Sequence, residues 1–320
     1  MYMPSLLTLS KYPVTPTLPA LEATNIDSEY LAQSECHTPS PLKSSQLQKQ
    51  MRNKTKQKQK PISLNGNIPV FSAAFAGRTA IITGASRGIG RAIASHLSSL
   101  GADVIIGYSS SPSYAEALAS ELTTSRGIPV KADVSDPAAV QSLFDTAESA
   151  FGRPVHILVA NAGVLDDKYP TLADTSVEDW DNTFAVNTRG VFLCCREAAK
   201  KLVRGGGGRI VVITTSLVGS LRPGYAAYTA SKAAVEAMVK ILAKELKGTA
   251  ITANCVAPGA VATDMFFAGK TEEQVKQAAE ICPMGRIGET NDIAPVVGFL
   301  CTDAAGWVNG QVIRANGGYI

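Results

Sequence analysis

From Gly77 to the C-terminus the sequence predicts an α/β fold, a single doubly wound parallel sheet of about seven strands with helices on both faces. Three observations predict it. Short β-branched runs alternate with helix-compatible stretches. The runs are apolar on both faces, as a sheet covered on both sides requires. A glycine-rich turn stands where the first run gives way to the first helical stretch.

The runs read as strands are Thr79–Thr83, Asp103–Tyr108, Val155–Ala160, Arg209–Thr214 and Ala250–Val256, with a third strand placed ahead of Asp133. Between them, Arg91–Leu100, Ala138–Phe151 and Ala226–Lys247 carry helix-compatible patterns. The domain assigned in this way covers residues 76–320. Residues 1–75 differ in composition. The first 40 are rich in Ser, Thr and Pro, and Lys43 to Lys60 holds six lysines, Arg52 and five glutamines without an acid. Such a segment buries too little apolar surface to offset its ordering entropy and reads as a disordered tail. A plastid-type transit segment is the alternative, opposed by Glu22, Asp27, Glu29 and Glu35.

The chain has 320 residues, 45% hydrophobic and 18% charged, with a net charge of +3, too small to imply a nucleic-acid partner. No apolar run approaches the roughly 18–20 residues that span a bilayer. The six cysteines form no Cys-x-x-Cys pair and do not cluster with the three histidines, so neither a metal site nor a disulfide framework is expected. These features fit a soluble protein of the cytosol or the chloroplast stroma. The adjacent Cys194 and Cys195 read as core packing on a helix, and the Gly205–Gly208 run as a helix-to-strand loop.

The turn reads Thr83-Gly84-Ala85-Ser86-Arg87-Gly88-Ile89-Gly90. Its glycines let the backbone approach a pyrophosphate at a helix N-terminus, where unpaired N–H groups and the helix dipole favour an anion. Its place at the first strand–helix junction is that of the nucleotide loop in Rossmann-type folds. The second strand ends Gly107-Tyr108-Ser109-Ser110, with no acid to accept from a ribose 2′-hydroxyl, and Asp103 lies at the wrong end. Arg87 can meet a 2′-phosphate bidentately, assisted by Ser109 and Ser110, so NADP(H) is the expected cofactor.

Tyr228 and Lys232 stand four residues apart, on one face of a helix. A nearby ammonium favours the phenolate, so Lys232 is expected to draw the tyrosine toward the working pH range, and it can also hold the ribose hydroxyls. Ser216, past the end of the strand Arg209–Thr214, is placed to hydrogen-bond a substrate oxygen. Tyr225, whose i+4 residue is Thr229, has no cation at that spacing and serves as a control.

On these motifs residues 77–320 resemble the short-chain dehydrogenase/reductase family. The resemblance extends to Asp133-Val134, Asn161-Ala162-Gly163, Asn187 within Phe184–Gly190, and Pro258-Gly259-Ala260-Val261-Ala262-Thr263. It implies that Asp133 and Val134 contact the adenine and that Asn161 to Gly163 support the ribose and central strand. It further implies that Asn187 holds a water in a proton relay to Lys232, and that Val261 and Thr263 meet the nicotinamide amide and the pyrophosphate. Ala160 stands where the family often has a second Asn. Within the family, Ala185–Arg196, Gly205–Gly208, Ala233–Lys247 and Asn309–Ile320 resemble the plant-type NADPH-dependent aldehyde reductases.

The activity this implies is reduction of a small aldehyde or ketone by NADPH, with Tyr228 donating the proton. One alternative is a 3-oxoacyl thioester reductase, whose acidic carrier protein would need a basic surface such as Lys200, Lys201, Arg204 and Arg209. A non-catalytic dinucleotide-binding scaffold is another, and it predicts loss of Ser216, Tyr228 or Lys232, all of which are present. Asp264–Gly285 is the expected substrate lid, with Met265, Phe266 and Phe267 as an apolar wall. The resemblance also implies a homotetramer or homodimer through Asp179–Lys201 and Ala226–Lys247.

Overall fold

A computed structural model of the chain describes residues 74–320. The tail and transit readings concern residues 1–75, of which 1–73 lie outside that range. The described part begins earlier than the sequence marks it. Phe75 is fully buried, and its N–H donates to Leu100 O at 2.8 Å, so it belongs to the core and not to the tail.

Seven strands form one parallel sheet in the order β3-β2-β1-β4-β5-β6-β7. They are β1 (Thr79–Ile82), β2 (Asp103–Tyr108), β3 (Gly127–Lys131), β4 (Ile157–Ala160), β5 (Arg209–Ile213), β6 (Thr252–Pro258) and β7 (Val312–Ala315). Two expected strand starts are too early. Ala250 has φ +59°, a left-handed conformation that a strand cannot include, and β6 begins two residues later. Val155 is buried but precedes β4.

Strand alternation divides the core between two layers. Ile81, Ile105, Leu158 and Val212 face α3 (Pro137–Phe151), α5 (Val191–Lys201) and α7 (Ala226–Glu245). Ala80, Ile82, Ile106 and Val211 face α1 (Gly88–Ser99), α2 (Pro112–Glu121) and α10 (Thr290–Cys301). Cys194 and Cys195 lie wholly inside the first layer, and burial pushes the Cys194 thiol up to about 12. The Gly205–Gly207 loop that follows α5 has φ of +84°, +131° and +85°, which side-chain-bearing residues adopt only with strain.

The stretch Asp179–Lys201 is not one uniform helix. α4 (Val177–Phe184), capped by Ser176 Oγ accepting from Asp179 N at 3.0 Å, passes into a π-helical turn at Ala185–Gly190 before α5 begins. Such wider turns recur at functional sites. β1 lies between β2 and β4, so the chain reverses its direction of travel across the sheet there. A crevice opens at the carboxyl ends of the strands at this reversal.

Candidate active site

Every cofactor-binding residue named from the sequence lines one cleft of about 1040 Å³ at those strand ends, together with Ser216, Tyr228 and Lys232. Asn187 stands behind it, fully buried.

The glycine turn packs too tightly for side chains. A Cβ on Gly84 would lie 2.9 Å from Ala162 Cα, and one on Gly90 would lie 2.4 Å from both Asn161 Nδ2 and Gly84 O. Asn161 closes the structure by donating to Thr83 O at 2.9 Å and Gly84 O at 3.0 Å. Thr83, unremarked in the sequence, accepts from Asn161 N at 3.0 Å and Ala162 N at 3.1 Å, and so joins β1 to β4 at the cleft floor. Thr263 reaches the same turn, its methyl 3.4 Å from where a Gly88 Cβ would stand. With the α1 N-terminus opening onto it, this cradle fits a dinucleotide pyrophosphate.

Farther along, Asp133 Oδ1 accepts from Ser135 N at 2.9 Å and Ser135 Oγ at 2.8 Å, which fixes the carboxylate. Val134 packs on Gly190, where a Cβ would come within 2.7 Å. Arg87 is the exposed N-cap residue of α1. Asp103 lies at the opposite end of β2, held by Arg126 at 3.1 Å and by Arg153, and these guanidiniums keep its carboxyl below the usual range against the effect of burial.

Lys232 is 2% exposed and donates from Nζ to Ile213 O at 2.9 Å. Burial lowers its pKa to about 8. Burial also pushes the Tyr228 phenol up to about 12, opposed by hydrogen bonding from the Thr215 side chain. The expectation that Lys232 draws Tyr228 down is therefore not met. The ammonium is directed to a backbone carbonyl, 6.0 Å from the phenol ring centre, and desolvation dominates. A phenol held neutral in this way is an acid with its proton in place.

Asn187 Oδ1 accepts from Val164 N at 2.8 Å, while Nδ2 donates to Val164 O at 2.9 Å and Ser231 Oγ at 3.2 Å. Ser231 Oγ in turn donates to Tyr228 O at 2.7 Å. Both hydrogens of the Asn187 amide are thus engaged with protein partners that hold the tyrosine-bearing turn, while Oδ1 accepts one hydrogen bond.

Ser216 is similarly engaged. Its hydroxyl donates to Ala257 O at 2.9 Å and accepts from Asn316 Nδ2 at 3.0 Å. One residue earlier, Thr215 Oγ1 accepts from Leu217 N at 3.2 Å and keeps its own proton for Tyr228. Thr215 and Ser216 both line the cleft beside Tyr228.

The outer rim joins three segments distant in sequence. Tyr169 OH donates to Ala268 O at 2.8 Å and accepts from Lys270 Nζ. The Tyr169 and Tyr225 ring centres are 5.0 Å apart. Tyr225 is not the cation-free control that its i+4 neighbour implied, since Arg222 and Lys270 lie 6.0 and 5.8 Å from its ring centre. The segment expected as a lid holds α8 (Asp264–Phe267) and α9 (Glu272–Ile281); Met265 and Phe266 line the cleft, whereas Phe267 does not and packs on Phe266 with ring centres 5.3 Å apart.

A doubly wound sheet with a glycine cradle and a Tyr–Lys dyad at its switch point defines a dinucleotide-dependent oxidoreductase. Residues 84–320 match the family described as enoyl-(acyl carrier protein) reductase. The chain is 60% identical over 270 residues to an Arabidopsis thaliana NADPH-dependent aldehyde reductase-like protein described as chloroplastic, covering 81% of this chain and 100% of that one. It is 58% identical over 252 residues to a Picea abies short-chain type dehydrogenase/reductase, covering 76% and 93%. A Burkholderia cenocepacia short chain dehydrogenase solved with NADP superposes with a TM-score of 0.71 at 35% identity, covering 77% and 99%. The chain belongs to the short-chain dehydrogenase/reductase family.

Proposed function

We propose that the protein is an NADPH-dependent reductase of small aldehydes or ketones. The observation that carries this reading is the meeting of the glycine cradle, Arg87 and the Tyr228–Lys232 dyad in one cleft. Gly84 to Gly90, Asn161 to Gly163, Pro258, Gly259, Val261 and Thr263 would hold the nicotinamide dinucleotide, Asp133 and Val134 its adenine, and Arg87 with Tyr108, Ser109 and Ser110 its 2′-phosphate. When bound, that group supplies the hydride. The chain itself must orient the carbonyl and supply one proton.

Tyr228 holds that proton, because burial keeps it a neutral phenol. As the carbonyl oxygen gains charge, Tyr228 Oη transfers its proton to it, and the Thr215 hydroxyl adds a hydrogen bond. Lys232 then faces the phenolate that remains and favours it by charge. Asn187 is a positioning residue acting through Ser231. Tyr228→Phe keeps the ring and removes the proton, so kcat for aldehyde-dependent NADPH oxidation should fall about 100-fold or more. Retention of more than a tenth of the wild-type rate would refute the assignment.

The thioester alternative is weakened by the fate of its basic residues. Lys200 pairs with Glu197 at 3.1 Å, Lys201 with Asp145 and Glu148, and buried Arg209 with Asp303 at 3.1 Å. Of the four, Arg204 alone has no acidic partner among the described residues, its guanidinium donating to Ala199 O at 3.2 Å.

The remaining proposals concern the surroundings of the site. Exposed Phe192 on α5 and Ile241 on α7 support assembly through these helices, as a homotetramer or else a homodimer, and a monomer by light scattering at micromolar concentration would refute it. Among the described residues no helix is long and apolar enough to cross a membrane. A stromal location, with the segment 1–75 as the transit peptide, is supported by the relative described as chloroplastic.

A further inference from the structure

Two cations stand at the outer end of the cleft, away from the glycine cradle: Arg222, between α6 (Leu217–Ser220) and α7, and Lys270, between α8 and α9. Among the described residues neither forms a salt bridge, and Arg222 donates no side-chain hydrogen bond. Lys270 donates only to Tyr169 OH, which uses one of the three hydrogens of its ammonium. Aromatic rings surround that ammonium, with the centres of Tyr169, Phe266 and Tyr225 at 4.2, 4.9 and 5.8 Å.

The backbone holds the two cations together. Gly269 lies so close to Asp167 O that a Cβ there would come within 1.9 Å, and Tyr169 keeps φ at +52°. A Cβ on Gly224 would lie 3.1 Å from Tyr169 O. Three loops are thus joined at one point, and they set Arg222 and Lys270 at 6.0 and 5.8 Å from one ring, that of Tyr225, in a half-buried, ring-walled space. Burial and the Arg222 charge together lower the Lys270 pKa to about 8. Like charges so placed repel, and an anion between them relieves both the repulsion and the lost hydration.

We infer that Arg222 and Lys270 form an anion-binding subsite, and that the protein reduces carbonyl compounds bearing an anionic group such as a carboxylate several bonds from the carbonyl. This inference rests on the reductase reading above, which brings the carbonyl to Tyr228. Tyr225, one helical turn before Tyr228 and about 4.5 Å away along the helix axis, lies between the two ends of such a substrate.

The test compares kcat/KM, with NADPH, for succinic semialdehyde and for butanal, which has the same chain length and no charge. The wild type should favour the acid by at least tenfold. Lys270→Met and Arg222→Met should each reduce that ratio by about tenfold, the scale of one charge-assisted hydrogen bond. Tyr169→Phe, which removes the latch hydroxyl and keeps both cations, should preserve the ratio. Calorimetry of the wild type with glutarate, set against glutaramide, gives a readout independent of turnover and of how any variant folds. Equal rates on the two aldehydes, an unchanged ratio in both methionine variants, or no preference for glutarate would overturn the subsite. Failure of the reductase reading looks different, since neither aldehyde would then be reduced.

Discussion

Thr215→Val and Ser216→Ala remove neighbouring hydroxyls and should have different consequences. Valine fills the threonine's shape and removes the proton that Thr215 offers toward Tyr228, together with the acceptor of Leu217 N. A single donor to a developing oxyanion contributes about 2.7–4 kcal/mol, so kcat/KM should fall about 100- to 1000-fold. Loss of the Ser216 hydroxyl instead leaves Ala257 O and Asn316 Nδ2 without their partner in a site that is 2% exposed. A buried group stripped of its hydrogen bond costs about 1–3 kcal/mol of stability. For a domain of this size that corresponds to about 2–12 °C in Tm. The assays are steady-state NADPH oxidation with one aldehyde and thermal unfolding by circular dichroism, on both variants. The reasoning is refuted if Ser216→Ala loses about 100-fold or more in kcat/KM with little change in Tm while Thr215→Val stays within tenfold of wild type.

Three more outcomes follow from the same structure. Lys232 loses its charge as pH rises through about 8, so carbonyl reduction should decline above that pH. Because its folded pKa lies below the usual lysine value of 10.5, the folded state binds fewer protons than the unfolded chain in that window, and this residue's contribution to stability rises from pH 8 to 10.5. Lys232→Met should flatten that rise in urea titrations. Arg87→Ala should weaken NADPH by about 1.5–3 kcal/mol and leave NADH nearly unchanged in kcat/KM, and equal losses on both would remove the 2′-phosphate argument. A chain beginning at Ser72 should unfold like the full-length protein, whereas Phe75→Ala should lose about 3–5 kcal/mol, checked by denaturant unfolding.

What was legible in the sequence was local. The glycine turn, the Tyr228–Lys232 spacing and the β-branched runs each fit within a single element or junction, where periodicity and turn chemistry dictate the outcome. What escaped was contact between distant segments. Asn316 reaches Ser216 across 100 residues, and Lys270 reaches Tyr169 across 101. No spacing rule places those side chains together, so Ser216 read as available and Tyr225 as free of cations. Thr83 was visible as the residue before the turn, but its role depends on two N–H groups 78 and 79 residues away. The effect of Lys232 on Tyr228 was misjudged for a different reason. Helical spacing sets which face a side chain occupies, not which acceptor its ammonium meets, and burial of the pair outweighed their attraction.

The depth of the cysteines has a consequence for durability. Alkylating electrophiles react with cysteine through the thiolate, not the thiol. Cys194, Cys195, Cys255 and Cys301 are all buried, and burial raises each thiol, that of Cys255 and of Cys301 to about 12. At neutral pH, five units below that value, only about one molecule in 100,000 carries the reactive form at either position. Cys282, half-buried at the end of the lid and on the wall of the cleft, is the exception among the described cysteines. Slow alkylation by a thiol-directed electrophile such as iodoacetamide would therefore begin at Cys282 and spare the core.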